Sequence, residues 1–392
     1  MRLLLATNHL GLGGSESYLR TVAEQLDRLA HEVLVYAPEM GNGVDLARER
    51  GLTVEGGIGS ITEPLDAALV QDAGVSHELA DQFPQMPQIF ICHSANYDLQ
   101  APPQLSDAVA AVVVLNDRVG SRVSAFSTQV EVVRLRQPID TERFLPGAAL
   151  PPKPRRALLI SNNPNEDRLM IVESACAAAG IDLERLGARE QITDPRSALA
   201  EADMVIGYGR SILEAMACGR AAYVYDWAGG DGWVTAESYP TIERDGFGGR
   251  SHGEIVDADR LRVDLRAYDP AMGPVNRDLI IAHHRANLHA QKLVELVRRI
   301  TPDERRPREA LVEMARLVRL EWRARDDVRS LQRENVHLRE LLRHNQGATE
   351  RVVGELRESE AAVHEMRTSS SWRITRPLRS LGSLRRRRRH RA

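Results

Sequence analysis

The stretch GYGRSILEAMACG, from Gly207 to Gly219, combines glycines, a hydroxyl and one carboxylate at a spacing that suits an anionic ligand. A short apolar strand precedes it, Ser211 can cap the helix that follows, and Gly219 ends that helix. A helix that begins at the carboxyl end of a parallel strand directs free backbone N–H groups into the crevice beside the sheet. The segment therefore predicts a phosphate or diphosphate site, with Arg210 beside the helix start.

Glu214 lies one turn into this helix, and two interpretations of it are open. A carboxylate at this place could accept hydrogen bonds from the hydroxyls of a ribose. Ser211 and Glu214 also have the S-x-x-E spacing of a capping box, in which the two side chains bind only N–H groups of their own helix. The segment thus argues better for nucleotide binding than for catalysis.

The sequence GLGGS, from Gly11 to Ser15, forms a second glycine-rich turn, between a predicted strand and a predicted helix. A GxGxxG dinucleotide fingerprint would need glycine where Glu16 stands, so no nicotinamide cofactor is predicted. Two interpretations remain: a purely structural turn, and a turn at which the backbone of Gly13 and Gly14 approaches a ligand.

His93 follows the predicted strand Gln88 to Cys92. In a doubly wound sheet a residue at this place faces the crevice, where it could act as a base or bind a sugar hydroxyl. The alternative is a surface histidine at a strand end.

Gly229 and Gly230 begin a third glycine-rich stretch, which we predict to be a flexible loop at the crevice. Asp257 and Asp259 have a D-x-D spacing that could suit a metal ion, but they lie far from the strand ends. We therefore predict no metal site.

Apolar strands alternate with helices along most of the chain, which is the pattern of parallel, doubly wound α/β domains. The proline-rich sequence LPGAALPPKPR can be neither helix nor central strand and predicts a linker. Asp278 to Ile300 is predicted to be one strong helix. The predicted organisation is an N-terminal Rossmann-like domain over 1–145, a linker over 146–155, a second such domain with its closing helix over 156–300, a coiled coil over 308–366 and a basic tail over 367–392.

The bulk composition bounds the class of protein. A chain of 392 residues with 43% hydrophobic content is too long for a single hydrophobic core, so we predict two domains. No apolar run reaches the roughly 18 residues of a membrane helix, and we expect a cytoplasmic chain. Lys153 and Lys292 are the only lysines in the sequence, so arginine must supply almost every cation.

The C-terminal part has a heptad pattern between Met314 and Met366, with apolar residues alternating at spacings of three and four. This pattern predicts a coiled coil, with Asn335 and Asn345 as polar positions that set the register. Such a coiled coil could join copies of this chain in a homo-oligomer. The alternative is one amphipathic helix that folds back on the globular part.

The final sequence SSSWRITRPLRSLGSLRRRRRHRA interleaves apolar and basic residues and includes five consecutive arginines. Such a segment is attracted to anionic lipid, and its apolar residues can enter the membrane interface. We favour a peripheral membrane contact on the inner face of the cell membrane over nucleic acid. A tail without a partner remains the plain alternative.

These features together resemble a GT-B glycosyltransferase of the group 1 or family 4 type, over about residues 1–300. The resemblance is carried by NHLGLGGSESYLRTVAEQL, IFICHS, RQPIDTERFLPG and, above all, ADMVIGYGRSILEAMACGRAAYVYD. It implies two Rossmann-like domains facing a cleft, a nucleotide-sugar donor held mainly by the second domain, and an acceptor near the first. The SSSWRITRPLR tail after a coiled coil is similar to extensions of bacterial cell-surface polysaccharide glycosyltransferases.

The resemblance also implies roles for individual residues. Gly13 and Gly14 would lie under the donor phosphate and the transferred sugar, His93 would contact that sugar, and Glu214 would hold the ribose. The first glutamate of the family's E-x7-E motif would fall at Ile206, or near Tyr208 with a small shift, and neither residue is acidic. The family's pair of cations after the first strand of the second domain is also missing, and Arg168 and Arg210 are the candidate substitutes.

The function that the resemblance implies is transfer of a sugar from a nucleotide-diphosphate donor to a glycan or lipid-linked acceptor. The transfer would retain the anomeric configuration and would need neither metal nor other cofactor. Two other classes remain open: a degenerate GT-B domain that acts as a binding or scaffold module, and a nucleotide-sugar epimerase.

Overall fold

The structure is a computed structural model, and it describes residues 1–62, 64–94, 100–103, 109–125, 130–161, 166–187, 194–226, 229–252, 256–300 and 309–374. These residues form two compact units, 1–320 and 321–392, which we describe separately. The first unit contains two β-sheets with helices on both faces.

The first sheet has seven parallel strands in the order β3-β2-β1-β4-β5-β6-β7. Its elements are β1 (Arg2–Ala6), α1 (Gly14–Arg28), β2 (Glu32–Tyr36), α2 (Val44–Glu49), β3 (Thr53–Glu55), a 3-10 turn (Ile58–Ser60), β4 (Ala67–Val70), α3 (Ala73–Gln82), β5 (Gln88–Cys92), β6 (Ala111–Val114), α4 (Asp117–Ser124) and β7 (Glu131–Arg134).

Both faces of this sheet are buried, which explains why its central strands are apolar without alternation. In β1, Leu3 and Leu5 face a core that contains α1, whereas Leu4 and Ala6 face a core that contains α3. The chain order of these strands brings the carboxyl ends of β1, β4 and β5 together at one edge of the sheet.

The second sheet has the order β12-β11-β10-β8-β9. Its elements are β8 (Arg156–Ile160), α5 (Glu166–Ala179), β9 (Asp182–Leu186), α6 (Arg196–Glu201), β10 (Met204–Gly207), α7 (Arg210–Ala217), β11 (Ala221–Asp226), β12 (Gly229–Trp233), α8 (Tyr239–Arg244) and α9 (Ala258–Arg266).

The prediction of a flexible loop at Gly229 and Gly230 was wrong, because Gly229–Trp233 is the edge strand β12 and runs antiparallel to β11. A Cβ atom on Gly230 would lie 2.8 Å from Val256 Cγ2, so glycine is needed here for close packing of the strand.

The prediction of one helix from Asp278 to Ile300 was also wrong. The structure has α10 (Met272–His283) and α11 (Ala286–Arg299), separated at His284 and Arg285. Ile139 donates its N–H to the His284 carbonyl at 2.7 Å and accepts the N–H of Ala286 at 3.0 Å. These backbone bonds take the chain back to the first sheet, where α11 packs in the same core as α1.

The last long element is α12 (Glu309–Thr368), a single helix of 60 residues, followed by α13 (Ser370–Ile374). Within the first unit, the start of α12 packs on α3: Ala315 is buried, Val318 lies beside Gly74, and Arg319 forms an ion pair with Glu78. In the second unit, the apolar residues of the heptad pattern are exposed.

None of the helices in the described part of the chain is both long and apolar enough to cross a membrane. Most of the predicted basic tail, from residue 375 onward, lies outside the described residues. The coiled-coil prediction rests on a helix that the structure shows, and its pairing stays a prediction.

Candidate functional site

A cleft in the first unit brings together five of the predicted site residues: Gly13, Gly14, Arg210, Ser211 and Glu214. Its volume of about 180 Å³ is smaller than the roughly 300–1,000 Å³ of pockets that enclose drug-sized ligands. This volume matches a diphosphate or a sugar ring, and a whole nucleotide sugar would extend beyond it.

The glycine-rich turn before α1 forms one wall of this cleft. A Cβ atom on Gly43 would lie 1.9 Å from the Gly11 carbonyl oxygen, so the turn is held tightly against the neighbouring loop. Gly13 is the N-cap of α1, whereas a Cβ atom on Gly14 would meet no atom within 4 Å. Gly14 is also exposed, so its backbone is open to a ligand in the cleft.

The opposite wall is the start of α7, where Arg210 joins three segments of the chain. Its Nε donates to Glu214 Oε1 at 2.8 Å, Nη1 donates to the Pro138 carbonyl at 3.0 Å, and Nη2 donates to the Thr21 hydroxyl of α1 at 3.0 Å. The Arg210 side chain is only 10% exposed. The guanidinium therefore holds α1, the segment after β7 and α7 together at the cleft.

The capping-box interpretation of Ser211 and Glu214 was wrong. Gly209 is the N-cap of α7, with φ 61° and ψ −131°, and no side chain caps this helix. Ser211 donates its hydroxyl to the Tyr208 carbonyl at 2.8 Å, and Glu214 pairs with Arg210. The backbone N–H groups at the start of α7 are thus left without a side-chain cap.

Burial raises the pKa of Glu214, and the charge and hydrogen bond of Arg210 offset this rise only in part. Further hydrogen-bond donors would stabilise the charged form of a carboxylate that is buried but still lines the cleft. Ligand hydroxyls could supply them.

Sequence reasoning missed three cations in the cleft: Arg20 of α1, Arg50 after α2, and Arg143 in the segment between β7 and β8. Among the described lining residues, four are arginines and two are carboxylates. Burial and then the nearby Arg50 lower the pKa of Arg20 to about 10, and burial followed by Arg50 also lowers that of Arg143. Burial is the larger cause, and the second cause, repulsion between neighbouring arginines, is one that a bound anion would reduce.

Arg20 also shapes the glycine-rich turn. It donates to the Gly11 carbonyl at 2.8 Å and to the Ser17 hydroxyl at 3.1 Å, and its Nε–H is buried without a hydrogen-bond partner. No pattern in the sequence marked Arg20, because its burial, like that of Thr21 and Gln25 beside the apolar face of α1, is visible only in the folded chain.

His93 lies at the end of β5, as the sequence predicted, and its ring packs against Tyr18 with 4.7 Å between the ring centroids. Its Nε2 is buried without a hydrogen-bond partner. Burial, then the charge of Arg210, lower the pKa of His93 to about 3, so the ring is neutral at physiological pH. His93 is not among the described residues that line the cleft, although α1 contributes to both sites.

Other buried polar groups without partners lie at the same edge of the first sheet. Both side-chain atoms of Asn8, after β1, and Oε1 of Gln71, after β4, have no hydrogen-bond partner. Asp72 accepts the N–H of Asn8 at 2.7 Å, and burial raises its pKa to about 6. Unsatisfied buried amides cost free energy, and a ligand rich in hydroxyl groups would satisfy them.

The remaining predicted residues lie together elsewhere. Arg168 of α5 donates to the Val256 carbonyl at 3.3 Å and lies over the Tyr225 ring, 5.7 Å from its centroid. Gly229 and Gly230 are buried in β12, where Gly230 packs against the same Tyr225 and Val256. These three residues are not among the described residues of the cleft.

No protein-family model and no curated protein sequence matches the chain. Solved structures do resemble it: HepE from Anabaena, in complex with UDP and glucose, is 13% identical with a TM-score of 0.55, over 76% of this chain and 100% of HepE. A glycosyltransferase from Rickettsia africae is also 13% identical, with a TM-score of 0.51, over 76% of this chain and 98% of that protein.

The fold is thus GT-B, as the sequence predicted: a mixed α/β architecture with two mainly parallel sheets and, in addition, a long C-terminal helix. The likeness at this level of identity concerns the fold.

Proposed function

We propose that this chain is a glycosyltransferase that takes a sugar from a nucleotide-diphosphate donor. The observation that carries this proposal is the cleft in which the open backbone of Gly14, four arginines and the buried Glu214 meet. A diphosphate is the leaving group of such a reaction, and its developing charge is what preorganised N–H groups and guanidinium groups stabilise.

The residues take the following parts. The start of α1 at Gly13 and Gly14 binds the donor phosphates, and Arg20, Arg50 and Arg143 neutralise their charge. Glu214 accepts hydrogen bonds from the ribose, held in place by Arg210. The neutral His93, with Asn8 and Gln71, binds hydroxyl groups of the sugars at the edge of the first sheet.

We further propose a hexosyl transfer that retains the anomeric configuration and uses neither a metal ion nor a resident cofactor. The four arginines of the cleft support the metal-free part, because they supply the positive charge that the leaving diphosphate requires. The UDP and glucose bound to HepE make UDP-glucose the first donor to test.

The acceptor is proposed to be a glycan or a lipid-linked glycan in bacterial cell-surface polysaccharide synthesis, on the cytoplasmic face of the membrane. The support is the basic tail, which binds anionic lipid in this proposal, and Ile374 at its start, which is 77% exposed. Co-sedimentation with vesicles of neutral and anionic lipid tests it: binding that needs anionic lipid and disappears after truncation at Met366 is the expected result. Equal binding by the truncated chain would contradict the proposal.

The test of donor binding is calorimetry on the full chain with UDP-, GDP-, ADP- and dTDP-sugars, followed by assay of nucleotide release. Arg20→Gln and Glu214→Gln should each weaken binding, whereas Arg156→Ala is a matched control, since this exposed arginine lies at the start of β8. Absence of binding at millimolar donor would contradict the proposal.

A second function has one observation in its favour. Glu214 is already paired with Arg210, and the buried Ile206 occupies the place of a second acidic residue. A GT-B domain of this kind could bind a ligand without transferring it and act as a scaffold. Donor binding without nucleotide release, with any acceptor, would favour this function, whereas conversion of the donor without acceptor would indicate an epimerase.

A further inference from the structure

The second unit contains a helix face that the proposed activity does not use. Within α12, the heptad spacing of three and four residues can be followed from residue 324 to residue 366, with polar residues at four of its core positions. Taking Val328 as position a of the heptad, the a positions are Val328, Asn335, Leu342, Thr349, Leu356 and Val363, and the d positions are Ala324, Leu331, Leu338, Asn345, Val352, Ser359 and Met366.

The apolar members of this face are open to solvent: Leu331 is 63% exposed and Leu342 is 60% exposed. A row of exposed leucines along a 60-residue helix is stable in water only when another surface covers it. The occupant can be identified from three further features of the sequence on this helix.

The first feature is the choice of residues at the core positions of 324–342. Val328 at position a is β-branched and is followed by leucine at d, Leu331 and Leu338, a combination that favours two-stranded parallel pairs; the last a position of the segment is Leu342. Asn335 occupies an a position between them, where a buried asparagine fixes the register by pairing with its own copy.

The second feature is the charge beside the core. Glu334 is at position g and Arg339 is at the following e position, so in a parallel pair Glu334 faces Arg339 of the partner subunit. An antiparallel pair centred on the same segment places g against g and e against e. It would set Glu334 against Glu334 of the partner subunit and Arg325 against Arg339 of the partner subunit. Charge therefore favours the parallel arrangement.

The third feature is the position of the helix-weakening glycines. Gly347 and Gly354 both fall at position f, on the side away from the core, and a Cβ atom on either would meet nothing within 4 Å. They lower helix stability but leave the pairing face intact. The polar Asn345, Thr349 and Ser359 weaken the C-terminal half of the face.

We propose that residues 324–342 join two copies of this chain in a parallel, in-register, two-stranded coiled coil. Asn335 pairs with Asn335 of the partner subunit, and Glu334 pairs with Arg339 of the partner subunit. This inference does not depend on the proposed transfer activity, because it uses only residues of the second unit.

A single cysteine tests the register. In a parallel pair two copies of residue 338 lie within disulfide distance, whereas in the antiparallel pair centred on the same segment they are about 15 Å apart along the axis. The three native cysteines are buried, so Leu338→Cys under mild oxidation should give a covalent dimer. Arg333→Cys, at position f of the same turn, is the control and should not cross-link.

Light scattering on the full chain gives the oligomeric state, and we expect twice the monomer mass of 43.6 kDa. Glu334→Arg should weaken the dimer about 5-fold or more, and Glu334→Arg combined with Arg339→Glu should restore it. Asn335→Val should give a mixture of oligomeric states. A monomer at 50 μM, or a dimer that does not cross-link at residue 338, would overturn the proposal, and donor calorimetry on the same samples reports the proposed function separately.

Discussion

Arg210 and Glu214 lie one turn apart on α7 and form an ion pair of 2.8 Å, with side chains 10% and 13% exposed. The same guanidinium binds the Thr21 hydroxyl of α1 at 3.0 Å. A residue of the second sheet's helix thereby fixes the position of the helix that carries Gly13 and Gly14. The pair joins the two walls of the cleft: α1, the proposed phosphate side, and α7, the proposed ribose side.

Removing Arg210 should destabilise the chain more than neutralising Glu214. Arg210→Ala leaves a buried carboxylate without its partner, and breaking buried pairs in this way costs about 3–5 kcal/mol. Glu214→Gln retains a hydrogen-bond acceptor, and we expect a loss of about 1–2 kcal/mol. Urea unfolding measures both, and the double variant Arg210→Leu/Glu214→Leu should be more stable than Arg210→Ala alone. Equal losses in the two single variants would contradict a coupled pair.

Arg20 and Arg50 should control the affinity for phosphate-containing ligands. Charge-assisted hydrogen bonds contribute about 1.5–3 kcal/mol, so Arg20→Gln and Arg50→Gln should each weaken UDP binding about 10- to 100-fold. Because part of the effect is Coulombic, wild-type affinity should fall as salt rises from 50 to 500 mM, and each variant should show a smaller fall. Arg156→Ala should match the wild type at every salt concentration, and a salt response that none of these changes alters would exclude the arginine cluster as the phosphate site.

Two buried histidines should make stability depend on pH. The Nδ1–H of His284 donates to the Gln137 carbonyl, and Nε2 accepts from the Tyr239 hydroxyl; His289 makes the same kind of contacts with Arg136 and Tyr18. Burial is the main cause that lowers the pKa of each histidine to about 3.

The sign of this dependence follows from the lowered pKa. The unfolded chain takes up a proton near pH 6.5 and the folded chain does not, so stability is fully present above about pH 6.5 and falls as the pH drops toward 3. Each histidine should remove on the order of 2 kcal/mol between pH 7 and pH 5. Unfolding curves at these two pH values should show a smaller difference for His284→Gln and for His289→Gln. Arg156→Ala, at an exposed position, is the control and should leave the difference unchanged.

The sequence predicted much of this fold because local signals and tertiary contacts agree there. The strand Gln88–Cys92 was predicted at the bounds that the structure shows, since all five of its residues are buried. The glycine-rich turn and α1 followed in the same way. The break between α10 and α11 could not be predicted, because it results from backbone bonds to Ile139, more than a hundred residues away in the chain.

The sequence predicted the two glycine-rich segments of the cleft but not its other three arginines. Gly207 to Gly219 has a local signature, whereas Arg20, Arg50 and Arg143 belong to three separate segments that only the folded chain brings together. Arg168 was a candidate because it lies near the first strand of the second sheet. In the structure it contacts Val256 and Tyr225, and contacts between residues so far apart in the chain cannot be predicted from residue spacing. Gly229 and Gly230 were predicted to form a loop because glycine has a low strand propensity. Packing against Val256 makes this segment a strand instead.

Gly14→Ala separates ligand binding from stability most cleanly. A Cβ atom at this position meets nothing within 4 Å, and alanine is a better helix residue than glycine, so the free energy of unfolding should stay the same or rise by up to about 1 kcal/mol. The added methyl group enters the cleft where the phosphates are proposed to approach the backbone, and we expect UDP affinity to fall at least about 10-fold. Gly59→Ala is the control, since it also adds a methyl group with no atom within 4 Å, but in an exposed turn that is not part of the cleft among the described residues. Unchanged UDP affinity in Gly14→Ala, with the fold intact, would show that the ligand does not approach the start of α1.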